Sequence, residues 1–583
     1  MATSTGGALL ARILRAEGVT TVFGIIDGTY FGFYRALRDL GITLITPRHE
    51  TSAAHMAGTY ARLTGQLGVC MASNGPGVAN ILPGLVVEES EGNRVLCITS
   101  ARRSGAMYPP RTGTYQSFDQ VATIGAFAKW SQMVPSHGRV AELARAALRA
   151  SWEGRPGVVH LDVPENIMNS AAEIDHALWS PPQYRRTTAT APDPALVAHA
   201  ADLLIDAELP IIHAGSGVIH AQAFAALRAV AERLEAPVLT SWSGRAAIDE
   251  AHPLAIPMTH VKLNHLVRND ADVVLTLGSR LGETDWWGKA PYWRLPREQR
   301  HIQVDIDGAI IGANKPADVG VYADVGAFLD ALLPAVDAHL ARLRPATRRA
   351  RLATYRRHIT RYQTKLDRAL TDLRAPMNPA HVAHTVDACF PEGSVVVADG
   401  GNTAIWAMFY HRARVPGRLL STFKMGMLGA GVAQAIGAAV ATQAPVACII
   451  GDGAMGFHPQ EIETAVRHQL RVIWLVCCDR QWGMVKMNQS FALKPLKMLL
   501  TRRLAPEENI WSDLGEIRFD LVAQAMGAHG ERVADPTALR GAVERALACG
   551  GPAVIHCDVN PTTHLWAPGL VHFKDMHAEP RGR

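Results

Sequence analysis

Val446-Ala447-Cys448-Ile449-Ile450-Gly451-Asp452-Gly453-Ala454-Met455-Gly456 is the stretch on which the fold turns. A short apolar run stops at a glycine–acid–glycine turn. A helical pattern follows, with Pro459 near its start and Ile462, Ala465, Val466 and Leu470 on one face. A second apolar run, 472–478, then ends in Asp479-Arg480-Gln481. Strand, turn, helix and strand in that order make a parallel unit. It sets Asp452 and Asp479 at the carboxyl ends of two strands, where open α/β sheets bind ligands. Two side-chain oxygens and a turn carbonyl suit Mg²⁺, which also takes phosphate oxygens and water. Glycines on either side of Asp452 let the backbone approach a diphosphate closely.

The same alternation extends in both directions. Upstream, 22–26, 44–46, 69–72, 95–99 and 158–163 read as buried strands, with helical patterns over 7–17, 51–65 and 140–153. A Pro-, Thr- and Ala-rich linker covers 180–194. A middle block has strand candidates at 210–214, 238–240, 273–277 and 301–304, and a last block adds 394–398 and 553–559. The expected fold class is α/β, with three doubly wound parallel-sheet domains. The first and last blocks have comparable length and the same alternation.

A chain of 583 residues is too long for a single hydrophobic core. A net charge of +5 gives no case for nucleic acid or membrane as a partner. The Arg-rich segment 336–370 reads as a solvated connecting helix, because acids elsewhere balance it. Eight dispersed cysteines with no Cys-x-x-Cys pair read as reduced, buried thiols of a cytoplasmic protein. The first residues lack the pattern of a signal peptide, and no apolar run is long enough to span a bilayer. His381-x-x-His384 without further ligands reads as a helix surface rather than a metal site.

Three further segments complete the pattern. Pro47-Arg48-His49-Glu50 follows a strand and opens a helix. Asp399-Gly400-Gly401-Asn402-Thr403 follows another strand. Lys424-Met425-Gly426-Met427-Leu428-Gly429-Ala430-Gly431 precedes an Ala-rich helix. Joined to the turn at Asp452, they resemble the thiamine-diphosphate enzymes of the acetolactate synthase superfamily, with the oxalyl-CoA decarboxylases and 2-hydroxyacyl-CoA lyases. The resemblance covers essentially the whole chain. It implies a pyrimidine-binding domain over 1–178, a central domain over 190–335, a helical linker over 336–375, a diphosphate-binding domain over 376–560 and a tail over 561–583.

The resemblance also implies roles. Asp452, Asp479 and the Gln481 carbonyl would hold Mg²⁺. Asn402, Gly451, Gly453 and Ala454 would join Asp452 and Asp479 at the diphosphate end. Gly426 and Leu428 would grip the pyrimidine, with Leu428 as the wedge that bends the cofactor. Glu50 would be catalytic: its carboxylate bonds N1′ of the aminopyrimidine and so promotes loss of the C2 proton of the thiazolium. Cys478-Asp479 departs from the family's usual Asn-Asn and adds a negative charge beside the diphosphate. The superfamily shares each cofactor between two subunits, which implies a homodimer or homotetramer.

Substrate recognition is expected in Gly113-Thr114-Tyr115-Gln116-Ser117, which resembles the loop that brings an aromatic residue and a Gln or Glu to the reacting carbon. Gln116 is its candidate. Ser73-Asn74-Gly75-Pro76-Gly77 resembles a turn that packs near the cofactor. The substrate would be a small-molecule carbonyl or an acyl-CoA. The reaction implied is C–C lyase or carboligase chemistry next to a carbonyl, by decarboxylation of a 2-oxo acid or acyl transfer to a carbonyl. The alternatives are an acyl-CoA lyase or decarboxylase and a flavin oxidoreductase of the same fold. Gly215-Ser216-Gly217 and Gly278-Ser279-Arg280-Leu281 are where relatives hold FAD or ADP, so FAD or an ADP/CoA moiety is possible there. Lys494, Lys497, Arg502 and Arg503 would hold CoA phosphates or form a solvated helix face.

Overall fold

In a computed structural model of the chain, residues 2–107, 110–174, 177–501 and 508–570 are described. The strands in chain order are β1 (Ala2–Thr5), β2 (Thr21–Gly24), β3 (Thr43–Ile45), β4 (Gly68–Ala72), β5 (Val95–Ala101), β6 (Trp130–Met133), β7 (Val158–Pro164) and β8 (Ala171–Ile174). The middle of the chain adds β9 (Pro210–Ala214), β10 (Val238–Thr240), β11 (Val273–Leu277), β12 (Arg300–Asp305) and β13 (Val319–Tyr322). The last part adds β14 (Val395–Asp399), β15 (Leu419–Leu420), β16 (Val446–Gly451), β17 (Val472–Cys478), β18 (His529–Val533) and β19 (Ala553–Asp558).

These strands form three parallel sheets flanked by helices, as the alternation in the sequence requires. The first runs β3-β2-β4-β5-β7-β6 and the last β15-β14-β16-β17-β19-β18. Counted from its own first strand, each reads 2-1-3-4-6-5, so the two units share one topology. The middle sheet runs β10-β9-β11-β12-β13. In each sheet the strand order reverses beside its first strand, and a crevice opens there at the carboxyl edge. β4, β5, β7, β16 and β17 are buried along their whole length; β4, β16 and β17 read as unbroken apolar runs, while β5 carries Thr99 and Ser100 and β7 carries His160 and Asp162.

The first and last units share a core. The helix Glu50–Thr64 packs on the helix Ala430–Thr442, and Ala53, Ala57, Ala433 and Ile436 lie in one buried cluster. Gly437 permits the close approach: a Cβ there would stand 2.6 Å from the Met56 carbonyl oxygen.

Several expectations need correction. The run 22–26 forms β2, which ends at Gly24, and Ile26 is half exposed rather than buried. β1 and β8 form an antiparallel pair that the sequence did not suggest, tying the chain start to the end of the first unit. The linker is strapped down, since Arg185 pairs with Glu17 at 2.7 Å and Tyr184 is buried. The helix Pro345–Asp367 is not wholly solvated. Arg348 is buried and donates to the carbonyls of Leu204, Ile205, Ala207 and Leu234, the open ends of two central helices. His381 is buried and bonds the Asp372 carbonyl, while His384 is exposed. Of the eight thiols, none paired, six are buried, Cys389 is half-buried and Cys549 is exposed. Among the described residues no helix is long and apolar enough to cross a membrane.

Candidate active site

The turn after β16 and the turn after β17 bring Asp452 and Asp479 together at the carboxyl edge of the last sheet. Asp452 accepts the N–H of Gly453 and of Arg480, both at 2.7 Å. Burial first, and the Asp479 charge second, push its carboxyl up to about 6. A divalent cation between the two carboxylates would relieve that repulsion, and the donors are the hard oxygens such a cation takes. Gln481 is buried; its carbonyl accepts one bond, from Gly483 N–H, and keeps a second lone pair.

Asn402 lies across the crevice, at the start of the helix after β14. It is 3 % exposed, and neither its amide oxygen nor its amide nitrogen has a partner among the described residues. A buried amide with no partner costs about 1–3 kcal/mol, so a polar ligand in this crevice is the physical expectation. Gly483 leaves the room: a Cβ there would stand 2.8 Å from the Asn402 amide nitrogen. Gly453 is equally constrained, because a Cβ on it would meet the Trp482 ring at 2.7 Å. Gly451 and Ala454 are buried in the same turn. These residues fit a diphosphate held on backbone and amide groups with a metal beside it.

The loop before the helix Ala430–Thr442 leans on the same turn. Gly426 is exposed with φ 61, Leu428 is partly buried against the shared core, and a Cβ on Gly429 would meet the Phe457 side chain at 2.4 Å. Asp399, at the end of β14, anchors the helix start by accepting the Gly431 N–H at 2.8 Å. Burial raises its carboxyl to about 6.

Glu50 sits at the carboxyl edge of the first sheet as the first residue of its helix, after the N-cap His49, whose Nδ1 accepts from Thr51 N–H at 3.2 Å. Its carboxylate accepts from Asn80 Nδ2 at 3.1 Å and borders Gly77. The turn 73–77 carries the link onward. Asn74 Nδ2 donates to the Gln116 carbonyl at 2.9 Å, and Gln120 Oε1 accepts the Gly75 N–H at 2.9 Å. Gln116 itself is exposed with φ 50. Glu50 and Gln116 thus border one turn. No hydrogen bond or ion pair among the described residues joins them to Asn402, Asp452 or Asp479.

Known proteins give the same division. The description "Thiamine pyrophosphate enzyme, N-terminal TPP binding domain" matches residues 4–123, the central domain 197–332 and the C-terminal TPP binding domain 399–557. A sulfoacetaldehyde acetyltransferase of Castellaniella defragrans is 31 % identical over 561 residues, 91 % of this chain and 89 % of that protein. The chain belongs to the thiamine pyrophosphate enzymes. Acetolactate synthase large subunits are further relatives. The probable one of Methanocaldococcus jannaschii is 27 % identical over 571 residues, 96 % of this chain and 93 % of its own. The isozyme 2 large subunit of Escherichia coli is 28 % identical over 577 residues, covering 96 % of each. The protein is therefore a thiamine-pyrophosphate-dependent enzyme of the acetolactate synthase superfamily.

For this thiamine pyrophosphate enzyme, Glu50 and Gln116 fall in the N-terminal matched region, and Asn402, Asp452 and Asp479 in the C-terminal one. Sequence reasoning missed Asn80, Gln120, Thr403 and His564. His564 is buried, with Nδ1 2.5 Å from Asp479 Oδ2 and Nε2 3.1 Å from Thr403 Oγ1. It lies in the helix Pro561–Leu565, where the sequence suggested an aperiodic tail. The signal was Asn560-Pro561, a cap followed by proline at the first helical position; the Asn560 side chain accepts from Thr563 N–H at 2.9 Å. Of the four basic residues offered for CoA, Lys497 pairs with Glu508 at 2.5 Å and Lys494 with the same carboxylate at 3.9 Å. Arg502 and Arg503 lie outside the described residues, as does the end of the tail, 571–583.

Proposed function

We propose that the protein uses thiamine diphosphate and Mg²⁺ to decarboxylate a 2-oxo acid and transfer the acyl group to a carbonyl acceptor, as a carboligase of the acetolactate synthase type. One observation carries the proposal: the buried, partnerless Asn402 amide, which shares the surroundings of Gly483 with Asp479 at the carboxyl edge of the last sheet. When bound there, the cofactor supplies a carbon nucleophile that also holds the electron pair released as the neighbouring C–C bond breaks. The chain does the rest. Asp452, Asp479 and the Gln481 carbonyl hold the metal, and Asn402 with the 451–454 backbone takes the diphosphate. Leu428 and Gly426 fix the pyrimidine. Glu50, oriented by Asn80, exchanges a proton with N1′, and Gln116 faces the substrate. We assign residues 1–178 to the pyrimidine half, 190–335 to the central domain and 376–560 to the diphosphate half, joined by 336–375. The active unit is a homodimer or homotetramer of the cytoplasm in which Glu50 and Asp452 of one site come from different chains.

A phosphate-bearing cofactor such as FAD or an ADP moiety suits a second place. A cavity of about 340 Å³ opens where the three units meet, bordered by Gly217, Gly278, Arg155, Arg280 and Lys424. Burial lowers the Lys424 ammonium to about 7; the Glu91 carboxylate opposes this, and Arg280 and Arg155 add to it. Arg155, Arg280 and Lys424 offer donors to a phosphate there, beside the carboxylates of Glu91 and Asp305. The acyl-CoA reading has less support, since Lys494 and Lys497 are already paired. A second reading, transfer of an acetyl group from sulfoacetaldehyde, draws on the 31 % identical relative.

The test is product identification with the reconstituted enzyme. Pyruvate, alone and with a second 2-oxo acid, is compared with sulfoacetaldehyde, a 2-hydroxyacyl-CoA and oxalyl-CoA. Acetohydroxy acids are expected, lost on chelation and regained with Mg²⁺. Turnover of sulfoacetaldehyde or a CoA ester with none of the 2-oxo acid would sink the carboligase reading.

A further inference from the structure

Position 479 holds a carboxylate where the superfamily usually has an amide. The two differ in a way that matters to a metal: an amide offers one acceptor oxygen, whereas a carboxylate offers two that exchange by rotation. In this chain the two oxygens are not equivalent. Oδ2 lies 2.5 Å from His564 Nδ1 and accepts Gln481 Nε2 at 2.9 Å. Among the described residues Oδ1 accepts only the Gln481 backbone N–H, at a long 3.3 Å.

The imidazole is itself held in place. Its Nε2 stands 3.1 Å from Thr403 Oγ1, and the His564 carbonyl accepts Trp406 Nε1–H at 2.9 Å. Gln481 Nε2 also donates to the Pro561 carbonyl at 2.9 Å, fastening the same short helix. The side chains of His564 and Asp479 are 4 % and 2 % exposed, so water does not compete for the contact. The Nδ1–H tautomer is the one that donates to Oδ2.

We infer that His564 is a positioning residue that makes Asp479 behave as a one-oxygen ligand: by holding Oδ2, it leaves Oδ1 alone to face the cation, as an asparagine oxygen would. The inference rests on the reading of Asp479 as a metal ligand. Groups that orient a ligand in this way change metal affinity by about 10–100-fold when removed.

The test is Mn²⁺ binding to the full chain in the presence of thiamine diphosphate, read from the spin-resonance signal of free Mn²⁺, with Mg²⁺ as competitor. His564→Asn keeps an N–H donor where Nδ1 stood and should bind Mn²⁺ within about threefold of the parent, well short of that loss. His564→Gln extends its amide towards the Nε2 position instead and should bind about tenfold or more weakly. Asp479→Asn added to His564→Gln should restore affinity, because an amide ligand needs no second group to occupy a spare oxygen. Thermal melts without metal show whether each variant folds; if His564→Gln does not, His564→Leu takes its place, with and without Asp479→Asn. Equal affinity of the two single amide variants at 564, or no rescue by Asp479→Asn, would overturn the inference. A parent that binds no Mn²⁺ with the cofactor present would overturn the metal-site reading itself, before any variant is compared.

Discussion

Two side chains carry the chemistry proposed for the site, and each can be removed without changing much volume. Glu50→Gln keeps the shape at the helix start and still accepts from Asn80, yet an amide cannot exchange a proton with N1′. Thiamine diphosphate should bind as before, while hydrogen–deuterium exchange at its C2 should slow by about 10²–10⁴, the usual worth of general acid–base assistance. Exchange at the parental rate would return Glu50 to the role of a helix-start carboxylate. Asp452→Ala removes one of two facing carboxylates. Metal and diphosphate share one coordination sphere, so the variant should lose affinity for both together, measured by calorimetric titration with Mg²⁺ present. Cofactor binding at parental strength would show that the metal sits elsewhere. At this scale Glu50, Asn402, Asp452 and Asp479 were legible because each sits in a short motif at a strand end. His564 was not. It meets Asp479 from 85 positions away along the chain, a proximity that only the folded sheet creates.

Elements were legible in proportion to their burial. β16 and β17 are enclosed on both faces and announce themselves as apolar runs. β6 and β18 lie at sheet edges, with Ser131 and Gln132 in one and Glu531 and Arg532 in the other, and their polar residues hid them. Within the first sheet, β7 carries a polar thread that reaches Gln120, near the loop of Gln116. Asp162 is fully buried, and its Oδ1 accepts from Thr99 Oγ1 at 2.6 Å and Gln120 Nε2 at 3.0 Å. Burial raises its carboxyl to about 7, which the two hydrogen bonds oppose and Asp119 slightly assists. His160 beside it is lowered to about 3 by burial and stays neutral across the working range. The folded pKa of Asp162 is above the unfolded value of about 3.9. Its contribution to stability is therefore present below about pH 4 and lost as pH rises through about 7. Asp162→Asn keeps the accepting oxygen and cannot ionise. Its advantage over the parent should grow between pH 5 and pH 8 by the equivalent of about 1–3 kcal/mol. Parallel melting curves across that range would show that Asp162 is not the titrating group.

At the scale of the whole molecule, the first and last sheets have matched topologies, and the proposed site draws one half from each. Within a chain no described hydrogen bond or ion pair joins Glu50 to Asp452, which is the arrangement a pair of chains would complete. Sedimentation should find a dimer or tetramer as the active species, and an active monomer would refute the shared site. Mixing refolded Glu50→Gln and Asp452→Ala chains, each inactive alone, should regain activity, because one site of each mixed pair then has both native residues. The distribution of thiols offers a way to watch this pairing. Cys549, at the end of the helix Pro536–Ala548, is exposed, while six of the other seven are buried and burial raises the thiol of half-buried Cys389 away from reactivity. The unmodified protein thus accepts one maleimide dye per chain, so energy transfer between two such dyes becomes a ruler for assembly that needs no engineered handle.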